Sequence, residues 1–296
     1  MSPALEVLAT GALVLVEDTG RPGLAAVGVG RSGAADRTAH RLGARLVGNP
    51  EGHASLEVLL GGLTVRARGR LTLAVTGAPA PASVDGRPVA HATLVDVPDG
   101  ATFTLGMPVT GLRTYLTVRG GIDVPPVLGS RSTDTLSHLG PPPVRVGDVL
   151  PVGSPGRDFP TVDHAAQPAA GPAGATVLEV LPGPRATWFG GWAGDVGGLF
   201  GVDRVVSGDS DRIGLRLTGS PLQRTEPWVD AELPSEGMVR GAIQVPPGGE
   251  PVVFLADHPV TGGYPVVGVL TASGCDRAAQ LRPGDPVRLT RAAAIS

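Results

Sequence analysis

The 296-residue chain carries 24 basic against 27 acidic side chains, a net charge of −3, with 42% hydrophobic residues and one cysteine. A near-neutral chain with no basic cluster is not expected to bind nucleic acid or an anionic membrane surface, and the lone Cys275 excludes an intrachain disulfide framework and fits a reducing compartment. All 24 basic residues are arginines, so the chain cannot itself carry biotin, form a Schiff base or supply a P-loop lysine.

No basic n-region precedes an apolar run at the N-terminus, and no stretch of about 18 apolar residues exists, so a soluble cytoplasmic protein with no membrane partner is expected. The 45 Gly and 30 Pro are dispersed and helical periodicity is rare. Many short strands joined by tight turns, in two domains, are the expected result.

In chain order, residues 5–8 and 12–17 read as opening strands. Asp18-Thr19-Gly20-Arg21-Pro22-Gly23 is a turn that places Arg21 near the next strand. Gly28-Val29-Gly30-Arg31-Ser32-Gly33 spells G-x-G-x-x-G. The helix after it, with Ala39, Leu42, Gly43, Leu46 and Val47 on one face, stops at Asn49-Pro50. No alternating βα pattern follows, so a dinucleotide-binding fold is not expected. Strands are predicted instead over residues 71–76, 92–97, 102–105 and 112–118, with Asp85-Gly86 and Asp99-Gly100 as two-residue hairpin turns. Arg119-Gly120-Gly121-Ile122 and Gly129-Ser130-Arg131-Ser132-Thr133 read either as cleft loops or as loops ordered by arginine–carbonyl bonds.

The first domain is set at residues 1–153. Residues 154–175, rich in Pro, Ala and Gly without period, read as a linker, and residues 176–296 as the second domain. Leu178-Glu179-Val180-Leu181 echoes Leu5-Glu6-Val7-Leu8, and Gly284-Asp285 echoes Gly147-Asp148. Trp188 and Trp192 fall in a predicted short helix and read as core or interface anchors.

The most informative stretch is residues 241–270. It reads as strand 242–245, a Pro-Pro-Gly-Gly turn, strand 251–256, a polar loop and strand 266–270. The loop, Asp257-His258-Pro259-Val260-Thr261-Gly262-Gly263-Tyr264, gathers a carboxylate, an imidazole, a hydroxyl, two glycines and a phenol. One reading is a binding loop held on rigid strands, its glycines letting N–H groups reach a carbonyl or anion. The other is a plain connecting loop with Gly for positive φ and Asp for local capping. His258 suits proton transfer, Asp257 could orient it, and Tyr264 could hydrogen-bond an oxyanion or cap the loop. No metal site is expected, because no two of the six His stand at ligand spacing and no thiolate pair exists.

The run ELPSEGMVRGAIQVPPGGEPVVFLADHPVTGGYP, flanked by SGDSDRIGLRL and AQLRPGDPVRL, resembles the KipA-type carboxyltransferase family. EDTGRPGLAAVGVGRSGAAD, LVGN and RGGIDVPPVLGSRST extend the resemblance over the N-terminal half. That family includes the C component of 5-oxoprolinase, allophanate hydrolase subunit 2 and the carboxyltransferase half of urea carboxylase. In place of the family's frequent Gln-Thr-Thr-Gly-Gly-Tyr this chain has Pro259 and Val260 at the first two polar positions.

The resemblance implies a mainly β chain of two tandem cyclophilin-like β-barrels with a few short helices. It implies one component of a multi-chain, ATP-dependent 5-oxoprolinase opening 5-oxo-L-proline to L-glutamate, inactive alone. Its partners would be a KipI-like chain (the B component of 5-oxoprolinase) and a LamB/YcsF-like chain (the A component). ATP would be bound at a site shared with a partner, and biotin could reside only on a partner chain. The family also contains biotin-dependent urea carboxylase components and regulators that bind a KipI-like kinase inhibitor.

Handling a small amide requires polarising its carbonyl and holding an anion. Arg185, Arg212 and Arg216 are the candidate anion clamps, Arg212 and Arg216 being expected on one strand face unless either forms an ion pair with Asp211 or Glu236. Gln244 could read an amide or be a satisfied strand residue. Catalytic roles fall to His258, Tyr264 and Asp257, and substrate contacts to Arg212, Gln244, Arg185, Thr261, Gly262 and Gly263. Trp188, Phe189, Trp192, Leu199 and Phe200 are candidates either for the partner contact or for the core.

Overall fold

The apolar runs punctuated by Gly and Pro fold as strands. The computed structural model describes residues 3–156, 159, 162–166 and 174–293, and among these it contains twenty strands, two α-helices and two 3-10 turns. The chain divides into one unit of Met1–Pro22 with Ser32–Ala169 and a second of Gly23–Arg31 with Ala170–Ser296. That division runs through the glycine-rich run, which is neither preceded by a strand nor continuous with a helix: a 3-10 turn (Ala25–Val27) precedes it. No helix among the described residues is long and apolar enough to cross a membrane.

The first unit runs β1 (Ala4–Thr10), β2 (Leu13–Glu17), α1 (Arg37–Leu46), β3 (Ser55–Leu59), β4 (Leu63–Arg68), β5 (Leu71–Gly77), β6 (Ala82–Val84), β7 (Arg87–Val89), β8 (Leu94–Val97), β9 (Thr102–Leu105), β10 (Arg113–Val118) and β11 (Val149–Pro151). Two sheets, ordered β11-β1-β4-β9-β6-β7 and β2-β3-β10-β5-β8, share one core that includes Leu5, Val65, Leu73, Phe103 and Leu116. Asp85-Gly86 forms the expected hairpin turn, both residues at positive φ, between β6 and β7. Asp99-Gly100 does not: β8 pairs with β5 and β9 with β4, so this turn carries the chain from one sheet to the other.

Of the expected linker, residues 157, 158, 160, 161 and 167–173 lie outside the described residues. Residues 163–165 run along the start of β8, where the Leu94 N–H donates to the Asp163 carbonyl (2.7 Å) and the Ala165 N–H to the Ala92 carbonyl (2.9 Å).

The second unit runs β12 (Thr176–Pro182), β13 (Asp203–Val206), β14 (Gly214–Thr218), β15 (Glu236–Gly237), β16 (Ala242–Gln244), β17 (Val252–Phe254), β18 (Thr261–Gly262), β19 (Val266–Leu270), α2 (Ala272–Ala278) and β20 (Pro286–Arg291). Seven of these strands close a barrel in the order β12-β19-β16-β17-β14-β13-β20, sealed by parallel pairing of β12 with β20. Along β12, Leu178 and Val180 point into the core while Val177 is exposed, the period of a strand with one wet face. Trp188, Phe189 and Leu199 are buried in this core and so are not available as partner anchors; Trp192 and Phe200 pack edge to face at its margin, half-buried.

The units repeat one topology. The antiparallel run β11-β1-β4-β9-β6 of the first matches β20-β13-β14-β17-β16 of the second, in the same chain order. The turns that lead into β11 and β20 are built alike. The Asp148 carboxylate accepts from the Arg145 N–H and the Asp285 carboxylate from the Arg282 N–H, both at 2.8 Å. Gly147 donates to Val7 in β1, and Gly284 to Val206 in β13. The structural counterpart of the first strand is therefore β13, not the Leu178-Glu179-Val180-Leu181 segment that echoes it in sequence.

All six residues of β10 are buried although polar and apolar residues mix along it. Leu116 and Val118 face the core, and α1 covers the other face. Asp36 caps α1 by accepting from the Ala39 N–H (2.9 Å). Gly43 permits the close approach, since a Cβ there would collide with the Thr117 hydroxyl. Beneath the helix, Glu57 accepts from the Tyr115 hydroxyl (2.7 Å) and the Ala35 N–H (3.0 Å) and pairs with Arg113 (3.2 Å), while Tyr115 accepts from the Asp36 N–H (2.8 Å). Burial holds the Tyr115 pKa well above its ordinary value. His40 is buried beside it, donating from Nε2 to the Glu51 carbonyl (3.0 Å) and accepting at Nδ1 from Ser55 (2.9 Å).

Two outcomes follow from this layer. Tyr115→Phe leaves a buried carboxylate oxygen and the Asp36 N–H each short of a partner, and is expected to lower unfolding free energy by about 1–3 kcal/mol in urea denaturation. Burial also depresses the His40 pKa below 6.5, against the raising effects of the Glu51 carbonyl, Asp18 and Glu57. The unfolded chain thus takes up a proton that the folded chain refuses, and stability falls as the pH drops below 6.5. Urea midpoints measured from about pH 8 to about pH 5 should decline toward acid, less steeply in His40→Gln.

Candidate functional site

The strands expected around the 257–264 loop form almost where the sequence places them, and the loop is fixed at four points. At its start the buried Arg212 donates from Nε to Asp257 Oδ2 (2.8 Å) and from Nη2 to Oδ1 (3.1 Å). The Met238 N–H donates to the Val260 carbonyl (2.9 Å). Thr261 and Gly262 form β18, which pairs with Glu236 and Gly237 of β15. At its end the buried Gln244 donates from Nε2 to the Tyr264 carbonyl (3.0 Å). Gly262 is needed for that last bond, because a Cβ there would stand 2.6 Å from the Gln244 nitrogen.

Held this way, the loop presents Gly263 and Tyr264 to a cleft of about 600 Å³. The Pro246-Pro247-Gly248-Gly249 turn forms one wall, and the loop over residues 221–233 forms the other. Trp188 and Trp228 stack with their rings 5.0 Å apart and 7° from parallel, and Arg224 lies over the Trp188 face. Tyr264 is 44% exposed. A phenol and a guanidinium lining one concave surface can grip a small polar ligand, donating to a carbonyl or anion.

The predicted residues separate into two groups. Gly263 and Tyr264 line the cleft, whereas Asp257, Arg212 and Gln244 are buried beneath the loop and hold it. Asp257 faces the Arg212 fork. The His258 Nδ1–H donates to the Pro259 carbonyl (2.8 Å), and the ring stacks on Phe254 at 6.0 Å. Arg185, expected as an anion clamp, is half-buried and paired with Glu236. Arg212 and Arg216 do not share a face: Arg212 precedes β14 and is buried, whereas Arg216 within β14 is exposed. Thr261 is exposed in the β15–β18 ladder. Arg224 was not among the sequence candidates. Its signal was an arginine between Pro221 and Pro227 in a loop that also carries Trp228.

The Arg212–Asp257 pair supplies a test. Removing one partner strands a buried charge, so Arg212→Met is expected to cost about 3–5 kcal/mol of stability, and Arg212→Met with Asp257→Leu should recover most of it. Chemical denaturation of the single and double variants measures the coupling. Equal losses in both would mean that the pair does not hold the loop.

Residues 27–291 match the family described as carboxyltransferase domain, subdomain A and B. The chain is 35% identical over 290 residues to the 5-oxoprolinase C component of Escherichia coli (strain K12), a match covering 97% of this chain and 91% of that protein. The crystal structure of TTHA0988 is 33% identical with a TM-score of 0.85, over 98% of this chain and 56% of that one. The crystal structure of the K. lactis urea amidolyase is 28% identical with a TM-score of 0.89, over 99% of this chain and 19% of that one. This chain thus corresponds to nearly all of the E. coli protein, but to about half of TTHA0988 and about a fifth of the amidolyase. With most of its length matched in sequence and its fold shared end to end, the chain belongs to the carboxyltransferase domain family, subdomains A and B.

Proposed function

We propose that this chain is the C component of a cytoplasmic, ATP-dependent 5-oxoprolinase that opens 5-oxo-L-proline to L-glutamate. The observation that carries the reading is the match to the E. coli 5-oxoprolinase C component across nearly the full length of both chains. The cleft beside Tyr264 supports it chemically. A ring amide is a poor electrophile, and donors aimed at its carbonyl oxygen stabilise the charge that develops there on ring opening. The Tyr264 hydroxyl is the donor of the 257–264 loop that lines the cleft. His258, held with Nδ1–H on the Pro259 carbonyl and its ring on Phe254, is the loop's candidate for proton transfer.

The nucleotide does not fit the described residues of this chain. No lysine is present, the glycine-rich run does not join a strand to a helix, and the Asp36 carboxylate already accepts from the Ala39 N–H in the first turn of α1. ATP binding and phosphoryl chemistry are therefore assigned to the partners, a KipI-like and a LamB/YcsF-like chain. Biotin, were it used, would likewise be carried by another chain.

A second reading, the carboxyltransferase component of a biotin-dependent urea carboxylase, is favoured by the TM-score of 0.89 to the urea amidolyase. One assay separates the two. The purified chain alone is expected to be inactive, and the chain with both partners should hydrolyse ATP only when 5-oxoproline is added. Turnover by the chain alone would overturn its role as one component among several, and full turnover by the partners without it would remove it as a required component. Carboxylation of urea with a biotinylated carrier, and none of 5-oxoproline hydrolysis, would establish the second reading instead.

A further inference from the structure

The cleft holds a cation that makes no ion pair among the described residues. In the same unit Arg185 is paired with Glu236, Arg212 with Asp257, Arg240 with Asp276 and Arg288 with Asp203. Arg224 lines the cleft, and among the described residues no carboxylate lies within ion-pair distance of it. It donates through Nη1 alone, to the Ala231 carbonyl (2.9 Å) and the Trp228 carbonyl (3.4 Å), and its guanidinium lies 5.4 Å from the Trp188 ring centre.

These contacts fix the guanidinium plane while engaging one of its three nitrogens. The Nε–Nη2 edge is left with no acceptor among the described residues, and that edge offers two parallel N–H groups matched to the two oxygens of a carboxylate. Asp230 and Glu232 line the same cleft, but both are exposed, so water screens their repulsion of an anion. Arg224 is half-buried against an aromatic face, where its attraction is screened less.

We propose that this cleft is a binding site for a small organic carboxylate and that Arg224 is its specificity-determining residue. The fork takes the carboxylate, and the Gly263–Tyr264 wall takes the amide end of the same ligand. The choice of ligand rests on the 5-oxoprolinase reading: 5-oxoproline carries a carboxylate beside its ring amide, and urea carries none.

The test is calorimetric titration of the full chain, and of the complex with its partners, with 5-oxo-L-proline, 2-pyrrolidinone (the same ring amide without the carboxylate) and urea. The expected result is binding of 5-oxoproline about tenfold or more tighter than either neutral amide. Arg224→Met should abolish that preference, and Arg224→Lys should restore part of it, because a point charge replaces the fork. Arg224→Gln keeps a donor for the Ala231 carbonyl and guards against collapse of the loop, which fluorescence of the stacked Trp188 and Trp228 reports. Equal affinity for 5-oxoproline and 2-pyrrolidinone, binding of no probe to chain or complex, or a preference unchanged in both Arg224→Met and Arg224→Gln would overturn the proposal. A complex that opens 5-oxoproline with unaltered KM in Arg224→Gln would remove this site and leave the proposed function standing. Carboxylate binding through Arg224 by a chain whose complex does not open 5-oxoproline would remove that function and leave the site.

Discussion

The buried pairing of Arg212 with Asp257 is the constraint on which the candidate site depends. The two residues are 45 positions apart and meet by both side chain and backbone. The carboxylate accepts two guanidinium N–H bonds, and the Asp257 N–H donates to the Arg212 carbonyl (3.0 Å). A buried ion pair adds little stability over an apolar pair of the same volume, because desolvation offsets most of the attraction. What it adds is direction. A bidentate fork fixes both the distance and the plane, so the lead-in to β14 and the start of the 257–264 loop have one relative placement. Everything downstream inherits it: the β15–β18 ladder, the Gln244 bond to the Tyr264 carbonyl, and Tyr264 itself at the cleft.

The repeated topology explains why only the second unit carries such a loop on a closed barrel. In the second unit β16 and β17 are joined directly by the Pro246-Pro247-Gly248-Gly249 turn, and β16 goes on to pair with β19. In the first unit the corresponding strands β6 and β9 are separated in sequence by β7 and β8. There β6 pairs with β7 through the Asp85-Gly86 turn, and β8 joins the opposite sheet. The insertion leaves the first unit as two sheets around a shared core.

Much of this was legible in the sequence, and the failures have physical causes. Strands such as β10, β14 and β19 were legible because apolar runs bounded by Gly and Pro have few other ways to bury themselves. The double burial of β10 was not, since alternation in Arg-Thr-Tyr-Leu-Thr-Val looks the same whether the polar face meets water or a helix. The echo of Leu5-Glu6-Val7-Leu8 in Leu178-Glu179-Val180-Leu181 misled because a shared apolar pattern says nothing about pairing partners. The Arg145–Asp148 and Arg282–Asp285 turns were the better marker, their hydrogen bonds being local and chemically specific. In the site, residue type marked Asp257, Arg212 and Gln244 as reactive, and only tertiary structure shows that each is already engaged.

The lysine-free composition sharpens that last distinction. A guanidinium stays charged at any working pH, so every buried arginine must find acceptors in the fold. Some find carboxylates, as Arg113 and Arg212 do. Others clamp loops through backbone carbonyls. Arg21, almost fully buried, donates to the Ser132 and Val127 carbonyls of the first unit. Arg204 donates to the Gly198 and Ser220 carbonyls of the second, and burial lowers its pKa. Ser220 immediately precedes the 221–233 cleft wall, and Glu236, just beyond it, is held by Arg185. Both ends of that wall are thus fixed by arginines, one through backbone carbonyls and one through a carboxylate, while Arg224 within it keeps an open edge. The same chemistry that orders this loop therefore leaves its central cation poised to meet a ligand.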